Sequence, residues 1–311
     1  MSKYVFGVDI GGTTVKLGFF DVEGNLLDKW EIPTRKEDGG SKILPDVADS
    51  IKEKMAKENI DKSTVAGVGV GVPGPVDNEG IVHKAVNLGW SMFSVSEVLG
   101  ALLDMPVKAG NDANVAALGE MWRGSAQGND DVVMITLGTG VGGGIIVNGK
   151  LINGSTGAGG EVGHIHVDDN EEECCGCGNK GCLEQYASAT GIVRLANRKL
   201  ASTNDDTVLR NGEVSAKTVF DAVKAGDKVA CEIADEFADY LGKGLSVIAD
   251  VVNPEVICIG GGVSKAGQVI IDLIEPVYQK HVFHGSRGTK FVLATLGNDA
   301  GIYGSAKLVL D

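Results

Sequence analysis

The chain has 311 residues, 43% apolar and 23% charged, with a formal net charge of −14. That acidity argues against nucleic acid or an anionic membrane surface as a partner, and no apolar run suggests a membrane span. Glycine is the anomaly: 46 residues, about twice the usual level of roughly 7%, yet with 7 prolines and no G-X-Y period, so collagen and Pro/Gly low complexity are excluded.

Met1-Ser2-Lys3 runs straight into an apolar, β-branched segment at 4–10 that reads as a strand. With no apolar leader ahead of it, a cytoplasmic location is expected. Further strands are expected at 16–20 and 26–32, the first reached through Gly11-Gly12-Thr13-Thr14. Leu44, Val47, Ala48, Ile51 and Met55 recur at helical spacing. A buried-type strand at 65–72 is closed by Pro73-Gly74-Pro75. A short helix at 95–103, a strand at 107–109 and a helix from Asp112 to about 121 follow. A second strand–turn–strand then spans 132–147 around Gly138-Thr139-Gly140-Val141-Gly142, in the layout of the opening unit. Two such hairpins suggest a duplicated architecture.

Helices are next expected at 188–200, 215–225 and 227–252. The last carries Val229, Ile233, Phe237, Tyr240, Leu241, Leu245, Ile248 and Val252 on one stripe. A strand at 255–259 ends at Gly260-Gly261-Gly262. A helix to about 279, a strand at 290–296 and a helix at 300–309 complete the chain. Alternating strands and helices imply α/β with mixed sheets. A boundary near 119–128 divides residues 1–120 from 121–299.

Several clusters carry chemistry. In Asp9-Ile10-Gly11-Gly12-Thr13-Thr14-Val15-Lys16 an acid ends a strand and a tight turn returns the chain. Its N–H groups and hydroxyls suit phosphate, and its carboxylate a metal ion or that ion's water. An ordinary hairpin is the alternative. Gly138, Thr139 and Gly140 repeat that chemistry. The G-x-G-x-x-G at Gly138, Gly140 and Gly143 is no dinucleotide fingerprint, because a strand follows it rather than a helix. Together the two hairpins would grip a triphosphate. Gly261 and Gly262, between a strand and a helix, would let a base or ribose lie against backbone. Asn111-Asp112 opens a helix, so Asp112 is either its N-cap or a general base toward a sugar hydroxyl.

Glu161 and His164 suit vicinal hydroxyls. His164 and His166 would share one face of an extended strand, so either is a candidate metal ligand. Four of the six cysteines fall within 174–182. Cys175, Cys177 and Cys182 with one histidine make a closed Cys3His zinc site, which would be structural and would aim the adjacent Glu184. Cys174, Cys231 and Cys258 have no partner pattern and are expected to be buried or incidental.

These motifs, with Pro73-Gly74-Pro75-Val76-Asp77 and Asn87-Leu88-Gly89-Trp90, resemble the ROK family (repressors, open reading frames and kinases) over nearly the whole chain. Within it the sequence is most similar to bacterial ATP-dependent glucokinases. The resemblance implies an actin-like ATPase (ribonuclease-H-like) duplicated two-domain α/β fold with an interdomain cleft. The closing helix, about 300–311, would return to the smaller N-terminal domain, and the larger C-terminal domain would carry the zinc loop. It further implies phosphorylation of glucose at O6 by ATP with Mg2+ and a structural Zn2+, domain closure over the sugar, and a homodimer or homotetramer. Asp112 is then the catalytic base, and Asn87, Asn111, Glu161, His164 and Glu184 are sugar ligands. His164 would place one ring nitrogen on zinc and turn the other to the sugar. Asp9, Gly11, Gly12, Thr13, Thr14, Lys16, Gly138, Thr139 and Gly140 form the phosphate grip, with Gly261 and Gly262 on the base side. In the family the lysine commonly follows the first threonine more closely; here Thr14 and Val15 intervene. Mannose, fructose, N-acetylglucosamine or N-acetylmannosamine are alternative substrates. A sugar-responsive repressor is the other alternative, disfavoured by the charge and by a first motif that starts nine residues in.

Overall fold

The structure, a computed structural model, describes residues 2–311. In chain order the opening elements are β1 (Tyr4–Ile10), β2 (Thr14–Asp21), β3 (Leu26–Pro33), a single turn α1 (Glu37–Gly40), α2 (Ile43–Glu58), β4 (Val65–Val72), β5 (Ile81–Val82), β6 (Phe93–Ser94), α3 (Val95–Leu103), β7 (Val107–Asn111) and α4 (Asp112–Arg123). Then come β8 (Val132–Leu137), β9 (Val141–Val147), β10 (Lys150–Leu151), α5 (Glu184–Ala187), α6 (Ala189–Ser202), α7 (Ala216–Lys224) and α8 (Lys228–Val252). β11 (Val256–Gly260), α9 (Val269–His281), β12 (Lys290–Leu293) and α10 (Ala300–Leu310) close the chain.

Two five-stranded sheets have the orders β3-β2-β1-β4-β7 and β10-β9-β8-β11-β12. Counting only its own strands in chain order, each sheet sets the third, second, first, fourth and fifth side by side; β5 and β6 pair separately. In the first sheet β1 is antiparallel to β2 and parallel to β4, which is parallel to β7. In the second, β9 and β10 are antiparallel, while β11 is parallel to both β8 and β12. The expected duplication is thus present in the topology, and with it the mixed α/β, actin-like arrangement.

The chain forms two compact units. One comprises Met1–Gly128, Gly144–Gly160 and Thr295–Asp311, the other Asn129–Gly143 and Glu161–Ala294. Residues 144–160 thus lie with the first unit although they follow a stretch of the second. The reason is local: Gly144 lies against α4, where a Cβ would come 2.6 Å from Ala117 Cβ, and Gly157 lies against the backbone of Val76. The closing helix α10 belongs to the first unit.

In the first unit β1 is apolar on both faces because both are covered. Side chains alternate along a strand, so Phe6, Val8 and Ile10 join one core with Ile43, Val47 and Ile51 of α2 and Leu99 of α3, while Val5 joins Phe20, Ile302 and Ala306 on the other. α10 sits on the sheet backbone itself. A Cβ at Gly7 would lie 1.9 Å from the carbonyl oxygen of Ile302, and one at Gly69 only 1.6 Å from that of Ser305. These two glycines serve that close packing.

In the second unit α8 buries Val229, Ile233, Phe237, Leu241, Leu245 and Ile248 along the expected stripe. The chain after β11 forms a 3-10 turn at Val263–Ala266 before α9, because Gly267 adopts φ +86° between them. No helix among the described residues is long and apolar enough to cross a membrane.

Candidate active site and metal centre

The first unit holds Asp9, the β1–β2 turn and the start of α4. Asp9 pairs with Lys16 across the antiparallel strands and with Gly71 across the parallel ones. Its carboxyl lies close to the first turn of α10, where a Cβ on Gly301 would come 2.6 Å from Asp9 Cγ. Asp9 keeps some exposed surface, yet desolvation raises its pKa to about 6; Lys16 opposes that rise and Asp112 adds to it. A buried carboxylate that prefers a proton suits a divalent cation, which restores the charged form. Asp9 therefore fits the role of holding Mg2+ or its water.

The turn is closed by Gly11 N–H donating to the Thr14 carbonyl at 3.0 Å. It is pinned from outside by Thr34, whose hydroxyl donates to the Gly11 carbonyl at 2.7 Å and whose N–H donates to the Thr13 carbonyl at 2.9 Å. Thr34 lies 23 residues from Gly11, and no local pattern marked it. Gly12 has open space where a Cβ would stand, so this backbone is approachable. Lys16 Nζ donates to the Asn298 carbonyl at 3.0 Å, which gives its ammonium a partner within the protein.

Asn111, not Asp112, caps α4. Its Oδ1 accepts from the N–H groups of Ala113 (2.9 Å) and Asn114 (3.1 Å), and its Nδ2 donates to the Gly74 carbonyl at 3.0 Å. Only one amide hydrogen of Asn111 then remains for a sugar. Asp112 is the first residue of α4 and is exposed. Its Oδ1 accepts from Ala113 N–H at 2.8 Å, and the positive helix terminus favours its ionised form. An exposed carboxylate held by the backbone suits a general base. Asn87 is exposed in the 3-10 turn Val86–Leu88, anchored by fully buried Leu88.

The second unit holds the remaining residues. Thr139 and its glycines sit against the helices that follow Glu184. Ala189 N–H donates to the Gly138 carbonyl (2.8 Å), Thr190 Oγ1 to the Thr139 carbonyl (2.6 Å) and Val141 N–H to Glu184 Oε2 (3.0 Å). The glycine turn and the Glu184 carboxylate are one assembly, and a Cβ on Gly140 would lie 2.1 Å from Glu184 Oε2. Gly261 adopts φ +86° and lies against Leu137 at the end of β8, while Gly262 faces open space. Gly138 is similarly open, its nearest neighbour being 4.0 Å away. Gly12, Gly138 and Gly262 therefore offer backbone to a ligand, whereas Gly140 and Gly261 are required by the protein's own packing.

His164, Cys175, Cys177 and Cys182 converge, their ligand atoms all within 4.8 Å of one another. Cys177 and Cys182 sulfurs are 3.7 Å apart, and Cys175 Sγ is 3.7 Å from His164 Nδ1. Zinc–sulfur bonds of about 2.3 Å in a tetrahedron put sulfurs about 3.8 Å apart, so the donor set fits zinc. Without a cation, burial and the neighbouring thiols push Cys182 up to about 12, and burial raises Cys175. Cys177 is lowered, chiefly by the Asn179 N–H. A bound divalent cation would let all three ionise.

His164 ends the 3-10 turn Val162–His164. The extended strand expected for His164 and His166 is therefore absent, and the turn separates them. His166 is exposed and held by Asp169 (2.8 Å) and the Lys180 carbonyl (2.9 Å). With Nδ1 toward the sulfurs, the other nitrogen of His164, Nε2, faces Glu161 at 3.9 Å. Glu184 Oε1 accepts from Cys175 Sγ at 3.5 Å, which links that carboxylate to the metal cluster. Of the other cysteines, Cys258 is buried, but Cys174 is exposed and Cys231 half-buried.

The chain is similar over nearly its whole length to known proteins. A glucokinase from Halalkalibacterium halodurans is 42% identical over 313 residues, covering 99% of this chain and 95% of that protein. The crystal structure of a ROK family glucokinase from Streptomyces griseus in complex with glucose and AMPPNP is 36% identical, with a TM-score of 0.74 and 98% of each chain covered. A ROK hexokinase from Thermus thermophilus is 31% identical, with a TM-score of 0.81 over 98% of this chain and 97% of that one. Residues 5–311 match the description of a single family, and the chain belongs to it: the ROK family.

Proposed function

We propose that this protein transfers the γ-phosphoryl group of ATP to O6 of glucose. The observation that carries the reading is Asp112: an exposed carboxylate at the first position of α4, oriented by backbone and coupled electrostatically to the buried Asp9. The names of the relatives, and the glucose and AMPPNP in the Streptomyces griseus structure, support glucose and ATP as the substrates.

Asp112 accepts the proton of the 6-hydroxyl as O6 attacks phosphorus. The O6–P bond forms while the bond from the γ-phosphorus to the bridging oxygen breaks, and its electron pair leaves with ADP. The transition state is loose, so positioning and charge stabilisation dominate. Asn87, Asn111, Glu161, His164 and Glu184 orient the sugar through its hydroxyls. The open backbone at Gly12 and Gly138, with Thr13, Thr14 and Thr139, receives the phosphates, and Gly262 the nucleoside. Asp9 would hold Mg2+, which neutralises developing phosphate charge when bound. His164, Cys175, Cys177 and Cys182 would hold one structural zinc, which would fix the imidazole and the helix bearing Glu184. The same reading includes a homodimer or homotetramer in the cytoplasm.

A coupled assay with ATP and Mg2+ across glucose, mannose, fructose, N-acetylglucosamine and N-acetylmannosamine tests it, with glucose expected to give the highest kcat/KM. Asp112→Asn should lower kcat by about 10^2–10^4 and leave glucose affinity within a few-fold. An active Asp112→Asn enzyme would remove the base assignment.

A further inference from the structure

His164 and Cys175 are joined by a loop whose side chains make a second set of contacts, apart from the metal ligands. Glu171 lies in this loop with its side chain 1% exposed. It is paired to Arg194 at 2.5 Å and to Arg198 at 3.2 Å, both from α6. The Arg194 Nη2 contact is one of charge rather than an aligned hydrogen bond. Tyr186, from the short helix α5, places its hydroxyl 2.7 Å from Glu171 Oε2 and 2.7 Å from Asp168 Oδ2. One hydroxyl proton serves both oxygens in turn. The ring of Tyr186 stacks on Tyr240 of α8 at 3.8 Å, and Tyr240 also donates to Asp168 at 3.1 Å.

α5 begins at Glu184, so Tyr186 is two residues from that carboxylate. Cys182 fastens one end of the segment to the metal cluster, and Tyr186 fastens the other to the loop. We propose that Glu171 and Tyr186 are positioning residues for the hexose site. They form a metal-independent clamp that holds α5, and with it Glu184, against the loop leading back to His164. The proposal rests on the hexose-kinase reading given above. Neither residue needs to touch the sugar. Their effect runs through the orientation of Glu184 and His164, as outer partners of metal ligands commonly act. A buried carboxylate facing two guanidiniums and a phenol is an exacting arrangement, and placing α5 gives it a purpose that core packing does not.

Two variants test this. Tyr186→Phe removes the hydroxyl and keeps the stack on Tyr240. Glu171→Gln keeps the shape and removes the charge. Each should raise the glucose KM, and the calorimetric Kd for glucose without nucleotide, about tenfold, with the ATP KM within twofold. Each should also speed zinc loss to a chromogenic chelator at least about fivefold. Because both act through one network, the double variant should match the worse single rather than their product. If glucose and ATP KM rise together, or glucose affinity stays at the wild-type value, the clamp does not position the site. If Glu171→Gln does not fold, Tyr186→Phe alone decides. If the wild type phosphorylates no hexose, the proposed function fails. The clamp is then judged by zinc release and by amide hydrogen exchange at 182–187, both of which should quicken in the variants; unchanged rates would overturn it.

Discussion

Replacing Asp9 with asparagine should stabilise the protein at neutral pH while removing phosphotransfer. Burial raises the Asp9 carboxyl from 3.8 to about 6. A folded value above the unfolded one means that the native state holds the proton more tightly, so ionised Asp9 opposes folding. The penalty is fully present above about pH 6, shrinks as the pH falls toward 3.8 and is gone below it. A displacement of that size corresponds to about 3 kcal/mol at most, and the solvent still reaching Asp9 trims this to about 1–3 kcal/mol. Asparagine carries no charge, so Asp9→Asn should be more stable than wild type by that amount at pH 7. Its advantage should roughly halve by about pH 5 and fall to about a fifth near pH 4. Urea unfolding of both proteins at pH 7, 5 and 4, without nucleotide or Mg2+, measures the gap. Adding Mg2+ and ATP should then stabilise wild type and leave the variant nearly unmoved, since a ligand stabilises only the state that binds it. A variant less stable than wild type at pH 7, or a gap that ignores pH, would refute the reasoning. Such a carboxylate trades stability for function, a familiar pattern at active sites.

Metal analysis of the purified protein should give about one zinc per chain, and Cys177→Ser should raise the glucose KM and lower the unfolding midpoint; a well-folded, active, metal-free protein would count against the zinc site. The glycines divide into two testable groups. Gly261→Ala meets both φ +86° and the Leu137 backbone at 2.5 Å, so it should lower stability by about 2 kcal/mol or more. Gly262→Ala has open space and should fold normally while raising the ATP KM; equal melting temperatures for the two variants would erase the distinction.

Local patterning carried the secondary structure well. The strand at 65–72 and the helix at 95–103 have the bounds expected from apolar spacing and turn residues, because period and punctuation are properties of adjacent residues. The cysteine spacing likewise anticipated which three thiols converge with a histidine, since three thiols within eight residues are a metal-binding pattern. The histidine was less determined. A single residue separates His164 from His166, and either suited the cluster until the 3-10 turn at Val162–His164 set one toward the sulfurs and left the other with Asp169.

Glycine shows the same division. How many glycines there are and where they cluster is legible in the sequence, and so are the turns they form. The sequence did not separate backbone open to a ligand, as at Gly12, Gly138 and Gly262, from backbone pressed against a neighbour, as at Gly7, Gly69 and Gly261. Nor did it mark Thr34 or Glu171, whose partners lie 23 and 27 residues away. Composition and spacing decide what a segment is able to do, through φ/ψ freedom, period and donor type. Which of those capacities is used depends on what the fold brings within a few ångströms, and that is set by long-range packing of sheets and helices that no single window of the chain contains.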